Sequence, residues 1–216
     1  MSKSYPEDLK SYLCTRLITV PMLLLLIVLL LATWFPSMPV FSLTTIMQIW
    51  LAVILVAMFR LWDDLSDVPA DRIKHPNRVL SFTTHENLFR RTCMSLGIAA
   101  FTTLLLSNPI SIVGFGLLTA AFAVYYKLPW RKSWPRAGYH VLLLKYPCLI
   151  VLISMSAVVS IDEQRVILML LTYVALCVYE VAHDPALRSD SHCRCIAAVE
   201  FIAASVLATY IAITTS

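Results

Sequence analysis

The sequence predicts an all-α protein: a polytopic transmembrane helical bundle of about seven spans around a central cavity. Three observations predict it. Only 14% of the residues are charged and 59% are hydrophobic, whereas a soluble domain carries about a quarter charged residues. Uncharged stretches long enough to cross a hydrocarbon core of about 30 Å as a helix recur along the whole chain. These stretches are continuous and lack period-two alternation, which excludes an outer-membrane barrel. A mean hydropathy of +0.78 also excludes a soluble enzyme, a disordered chain and a small secreted disulfide scaffold.

The elements follow in order. Residues 1–16 form an N-terminal segment bearing Lys3, Lys10 and Arg16. The first apolar run, about 17–34, is too long for a secretion signal and lacks a small-residue cleavage site, so it reads as a retained span. The second, about 44–62, runs into Asp63 and Asp64. Thr83 to Glu86 fits a capping box opening the third, about 88–107. Asn108-Pro109 separates it from the fourth, about 110–126. The fifth, about 139–160, contains Lys145; the sixth and seventh are about 165–183 and 196–213. Nothing is left over for a second domain, so residues 1–216 read as one transmembrane domain. Fifteen of the seventeen Lys and Arg fall before the first run or around alternate connections. By the positive-inside rule the N-terminus and those loops face the cytoplasm. The six cysteines lie within spans or at their cytoplasmic ends, where thiols stay reduced, so no disulfide framework is implied.

The acids are unevenly spread. Of thirteen, Asp63, Asp64, Asp67 and Asp71 sit at the end of the second run, and Glu180, Asp184 and Asp190 at the end of the sixth. Asp63, Asp67 and Asp71 are four apart, as are Glu180, Asp184 and Arg188, which places each set along one slowly drifting helix face. Ionisable groups at membrane depth cost several kcal/mol unless paired or solvated. Neighbouring carboxylates repel unless a cation lies between them, and Mg²⁺ takes one or two carboxylates while keeping positions for water and phosphate. The same side carries Arg72, Lys74, Arg78, Lys127, Arg131, Lys132, Arg188 and Arg194. Carboxylates ringed by cations suit an anionic, metal-bound substrate such as a diphosphate ester. For any single carboxylate a solvated loop ion pair is the alternative.

The stretch DDLSDVPADRIKHPNRVL, Asp63 to Leu80, resembles the first signature of the UbiA-type intramembrane prenyltransferase superfamily, NDxxDxxxDxxNxPNRP. YEVAHDPALR, Tyr179 to Arg188, is similar to the second acidic signature, and VYYKLPWRKSWP resembles the intervening loop that family members place over the diphosphate. The resemblance covers about residues 10 to 215. It implies a helical bundle open laterally to lipid, with Mg²⁺ held by both acidic motifs and an isoprenyl diphosphate ionised to an allylic cation. On that resemblance Asp63, Asp64, Asp67, Asp71, Glu180 and Asp184 are the metal set, with Asp67 and Asp184 central. Arg72, Arg78, Lys127, Arg131 and Arg188 face the diphosphate, and Lys127 with Asp67 and Asp184 carries the catalysis. Departures are Asp63 for Asn, Val79 for Pro, Arg188 for the last acid, seven spans where nine are usual, and Pro69, which should end or kink the helix before Asp71.

Further residues have two readings. Lys145, Tyr125 and Tyr126 are cavity candidates, although lysines at such depth also snorkel and aromatics also belt the interface. Arg60 is an ion-pair partner for Asp64 one turn on. Tyr139 and Trp62 sit near the same boundary. His183, His192, Cys193 and Cys195 give only a weak zinc signal, because one Cys-x-Cys lacks a second pair. Glu200 reads as an interfacial charge. The expected activity is Mg²⁺-dependent transfer of a prenyl group to a small aromatic acceptor, with lipid and the diphosphate as partners and no nucleic acid. The alternatives are a terpene cyclase of the same superfamily, acting on farnesyl or geranylgeranyl diphosphate, and an inactive lipid-binding scaffold.

Overall fold

The computed structural model describes residues 4–35, 39–128, 135–157 and 162–214, and among these every regular element is helical. Helix α1, Tyr5–Tyr12, continues through a π-helical turn, Leu13–Leu17, and bends by 65° into α2, Val20–Trp34. Then follow α3 (Leu43–Lys74), α4 (Val79–Phe82), α5 (Glu86–Ser107), α6 (Pro109–Lys127), α7 (Pro135–Leu143), α8 (Lys145–Ser156), α9 (Glu163–His183), α10 (Pro185–Ser189) and α11 (Ser191–Thr214).

Side chains set several of these boundaries. Ser42 Oγ accepts from the Thr45 amide at the start of α3, Asn108 Oδ1 from Ile110 at α6, and Asp162 Oδ1 from Arg165 at α9. Ser4 and Glu7 cap α1, the Ser4 amide donating to Glu7 Oε2 at 2.9 Å. The capping box expected at Thr83 is not what opens α5. His85 is the N-cap there, while Thr83 Oγ1 accepts from the His85 amide and donates to Asp8 Oδ2 at 2.5 Å.

The N-terminal segment packs on the bundle: α1 lies against α4 and α5, with Tyr5 and Tyr12 edge-on to Phe89. Two other expectations change. Pro69 does not end its helix, and α3 runs 32 residues through it to Lys74. The fifth run is broken at Leu144, because Pro147 has no amide to bond the Leu143 carbonyl and its ring crowds it. That break makes Lys145 the first residue of α8.

Among the described residues five helices are long and apolar enough to cross a membrane, or six if the bent α1–α2 pair is one span. The seven expected runs map in order onto α2, α3, α5, α6, α7–α8, α9 and α11. The two that fall short do so for different reasons: α2 alone has 15 residues, and the first turns of α5 carry Glu86, Arg90 and Arg91. At 1.5 Å per residue α3 is about 48 Å long, so it overreaches a hydrocarbon core and carries its acids out at one end.

Helix α3 is the central post, packed by α2, α5 and α8. Leu51, Leu55 and Phe59 on it are buried with Leu29, Leu104 and Ile150 from its neighbours. On the rim, Ile98, Leu106, Val124 and Val206 are exposed, as lipid-facing side chains should be. Helix α11 is the most peripheral: it packs mainly on α9, and only 11% of its apolar window is buried.

Candidate active site

A cavity of about 310 Å³ opens between α2, α3, α7, α8 and α9. One wall is hydrocarbon, from Leu24, Leu25 and Val28 of α2, Leu142 and Leu143 of α7, and Leu176 of α9. The other end is charged, with Arg60 and Asp63 from α3, Lys145 from α8 and Glu180 from α9. Tyr139, Tyr146 and Tyr179 also line it.

The charged end is built around Asp63. Lys145 Nζ donates to its Oδ2, and the Tyr126 hydroxyl donates to its Oδ1. Lys145 is 2% exposed, so the lysine does not snorkel; it is held inside by the carboxylate. Its ammonium also lies 5.3 Å from the Tyr146 ring centroid, within reach of a cation–π contact. Arg60 Nε is buried and forms no hydrogen bond among the described residues. The Glu180 carboxylate, half-buried, likewise has no hydrogen bond or ion pair among them. Two cationic groups and two carboxylates thus face one small volume, and one of each is unengaged or only loosely engaged.

The remaining motif acids divide. Asp67 and Asp184 follow Asp63 and Glu180 by four residues, one turn nearer the end of the bundle, and both are partly exposed. Asp64 and Asp71 turn away from the cavity and line a second pocket, of about 570 Å³, beside α1. There Asp64 takes Arg16 through Nε at 3.0 Å and Nη2 at 2.5 Å, the Tyr12 hydroxyl at 2.9 Å, and Arg60 at 3.6 Å. Asp71 takes Arg78 Nη1 at 2.7 and 2.8 Å. Both carboxylates already have cations, so the structure gives them to docking α1 and fixing the turn after α3.

The cations expected over the diphosphate are similarly redistributed. Arg72 pairs with Glu86 at 3.2 Å and Arg78 with Asp71; Lys127 and Arg188 are exposed and do not line the cavity. Arg131 lies outside the described residues. Tyr125 is buried with its hydroxyl on the Gly138 carbonyl at 2.9 Å, so it braces α6 against α7 rather than lining the cavity. The cavity cations are Arg60 and Lys145 instead. The sequence signal for both was charge three residues before a motif, or two before a proline, inside an apolar run.

No protein-family model matches the sequence, and no curated protein matches it. Among solved structures, a digeranylgeranylglyceryl phosphate synthase studied in membranes superposes with a TM-score of 0.64 over 97% of this chain and 79% of its own, at 17% identity. The fold is that of this membrane synthase. At 17% identity the likeness is one of architecture. Within this fold the two acidic clusters fall at one end of the bundle, and the cavity opens between the helices that bear them.

Proposed function

We propose that the chain is an intramembrane prenyltransferase that ionises an isoprenyl diphosphate in the α3–α9 cavity and transfers the prenyl group to a small acceptor. The observation that carries this reading is the polarity of the cavity: Asp63, Lys145, Arg60 and Glu180 at one end, a hydrocarbon wall at the other.

The residues act as follows. Departure of diphosphate concentrates negative charge on the leaving group, and preorganised cations stabilise that change more than the ground state. Lys145 and Arg60 are the cations placed to do so, Lys145 being pinned by Asp63 and therefore needing no reorganisation. The apolar wall takes the prenyl tail and keeps water from quenching the allylic cation. Tyr139 and Tyr146 offer their ring faces to that cation.

The donor set suits Mg²⁺, since hard carboxylate oxygens from α3 and α9 face one cavity and Glu180 makes no hydrogen bond among the described residues. Asp63, Asp67, Glu180 and Asp184 would hold it. Its chemistry there is to neutralise the diphosphate and lower the barrier to its departure. The distribution of Lys and Arg supports a cytoplasmic N-terminus, with the substrate entering from that side.

The acceptor is read as a small aromatic, although the structural neighbour's own name is that of a glyceryl phosphate. The test incubates the purified protein in lipid nanodiscs with farnesyl or geranylgeranyl diphosphate, with and without Mg²⁺, and analyses the organic extract. Three arms receive a phenolic acceptor, a glyceryl phosphate acceptor, or none. Prenylated phenol, formed only with Mg²⁺, is the expected product. Prenylated glyceryl phosphate would correct the acceptor, cyclised hydrocarbon without acceptor would replace transfer by cyclisation, and no turnover in any arm would refute the reading.

A further inference from the structure

Among the described residues that do not line the cavity, three ligand-type side chains from three helices converge. His140 of α7, Cys177 of α9 and Glu200 of α11 bring one donor atom each to within 4.8 Å of one another. His140 Nδ1 lies 3.4 Å from Cys177 Sγ and 3.6 Å from Glu200 Oε1. A tetrahedral ion with bonds of about 2.0 to 2.3 Å sets its ligands about 3.3 to 3.7 Å apart. The Tyr173 hydroxyl lies 3.0 Å from the same nitrogen.

Two further observations point to a missing partner. Glu200 Oε2 and the Tyr139 hydroxyl are buried with no hydrogen bond among the described residues. Cys177 is fully buried, and a carboxylate beside it at membrane depth is costly unless neutralised. A divalent ion bound by one thiolate, one carboxylate and one neutral imidazole gives a complex of zero net charge, which suits such surroundings. A mixed sulfur, nitrogen and oxygen set selects a borderline ion of the zinc class over the hard Mg²⁺.

We propose that His140, Cys177 and Glu200 form a structural zinc-class site that ties α11 to α9 and α7. The site is separate from the diphosphate cavity and does not depend on the function read there. On binding, the Cys177 thiol gives its proton to solvent and the thiolate becomes the ligand. The need for such a tie is visible in α11, which buries little of its own apolar surface against the protein. The two cysteines of the Cys-x-Cys pair take no part: Cys195 is exposed, and Cys193 is buried in the apolar cluster with Leu187 and Ala197.

The full chain, purified without chelators, is expected to hold about one zinc, and the stripped protein to take up Co²⁺ with a thiolate-to-cobalt charge-transfer band in the near ultraviolet. Cys177→Ser abolishes the band, while Cys193→Ser and Cys195→Ser leave it unchanged. Glu200→Gln, which keeps the side-chain shape, weakens Co²⁺ binding by at least about tenfold, since even outer partners of a metal ligand are worth that much. Glu200→Gln also decides the matter if Cys177→Ser does not fold. Absence of the band, its survival in Cys177→Ser, its loss in Cys193→Ser or Cys195→Ser, or unchanged affinity in Glu200→Gln overturns the proposal.

Discussion

Replacing Lys145 by Met is expected to lower turnover by at least about 10²-fold, the effect of deleting one preorganised group that stabilises a departing anion. The same change should destabilise the protein by about 3 to 5 kcal/mol, because it leaves Asp63 buried without its cation. Two effects that large invite the objection that activity falls only because the protein unfolds. The double variant Asp63→Leu with Lys145→Met separates them. Removing both charges of a buried pair is often neutral or stabilising, so the double variant should recover most of the lost stability and remain inactive. Unfolding midpoints in detergent and turnover per folded molecule are the two readouts. A double variant as unstable as the single one would mean that Lys145 is held by something other than Asp63.

The second large effect is a contrast between neighbours. Asp63→Ala should abolish turnover, whereas Asp64→Ala should keep it nearly intact per folded molecule and reduce stability by about 2 to 3 kcal/mol. That figure is below the fully buried case, because the Arg16 and Arg60 side chains are 23% and 25% exposed. The physical difference is direction. Asp63 faces the cavity with Glu180, and Asp64 faces α1 with Arg16 and Tyr12. The loss in Asp64→Ala should be local to the α1 docking, seen as faster amide exchange over Tyr5–Leu17. Equal loss of turnover in the two variants would place both carboxylates at the reacting centre.

Those two neighbours also show where sequence reasoning stops. Spacing of four put Asp63, Asp67 and Asp71 on one face, but each residue turns the helix by about 100°, so Asp67 sits about 40° and Asp71 about 80° from Asp63. Asp64, at about 100°, is closer in direction to Asp71 than to Asp63. This drift explains why Asp64 and Asp71 share the pocket beside α1 while Asp63 lines the cavity. The angle was in the sequence; which direction faced the cavity was not, because it depends on where α1 docks.

The helix order was legible because each apolar run is long and ends at charge, proline or asparagine. The span count was not, since α2 is short only through its bend and α5 is polar only in its first turns. The Lys145–Asp63 pair joins residues 82 apart, and no local pattern encodes it. His140, Cys177 and Glu200 are spread over three helices in the same way, whereas the visible Cys-x-Cys in α11 splits into one buried and one exposed thiol.

The central question is whether the Asp63–Lys145–Glu180 cavity breaks the carbon–oxygen bond of an allylic diphosphate. Inorganic pyrophosphate release from geranylgeranyl diphosphate, followed in nanodiscs with Mg²⁺ and acceptor, measures that step for wild type and for the stability-matched Asp63→Leu with Lys145→Met variant. The predicted result is steady release by wild type and release at least about 10²-fold slower in the variant. Equal rates in the two proteins would contradict it, as would no release by folded wild type with either farnesyl or geranylgeranyl diphosphate.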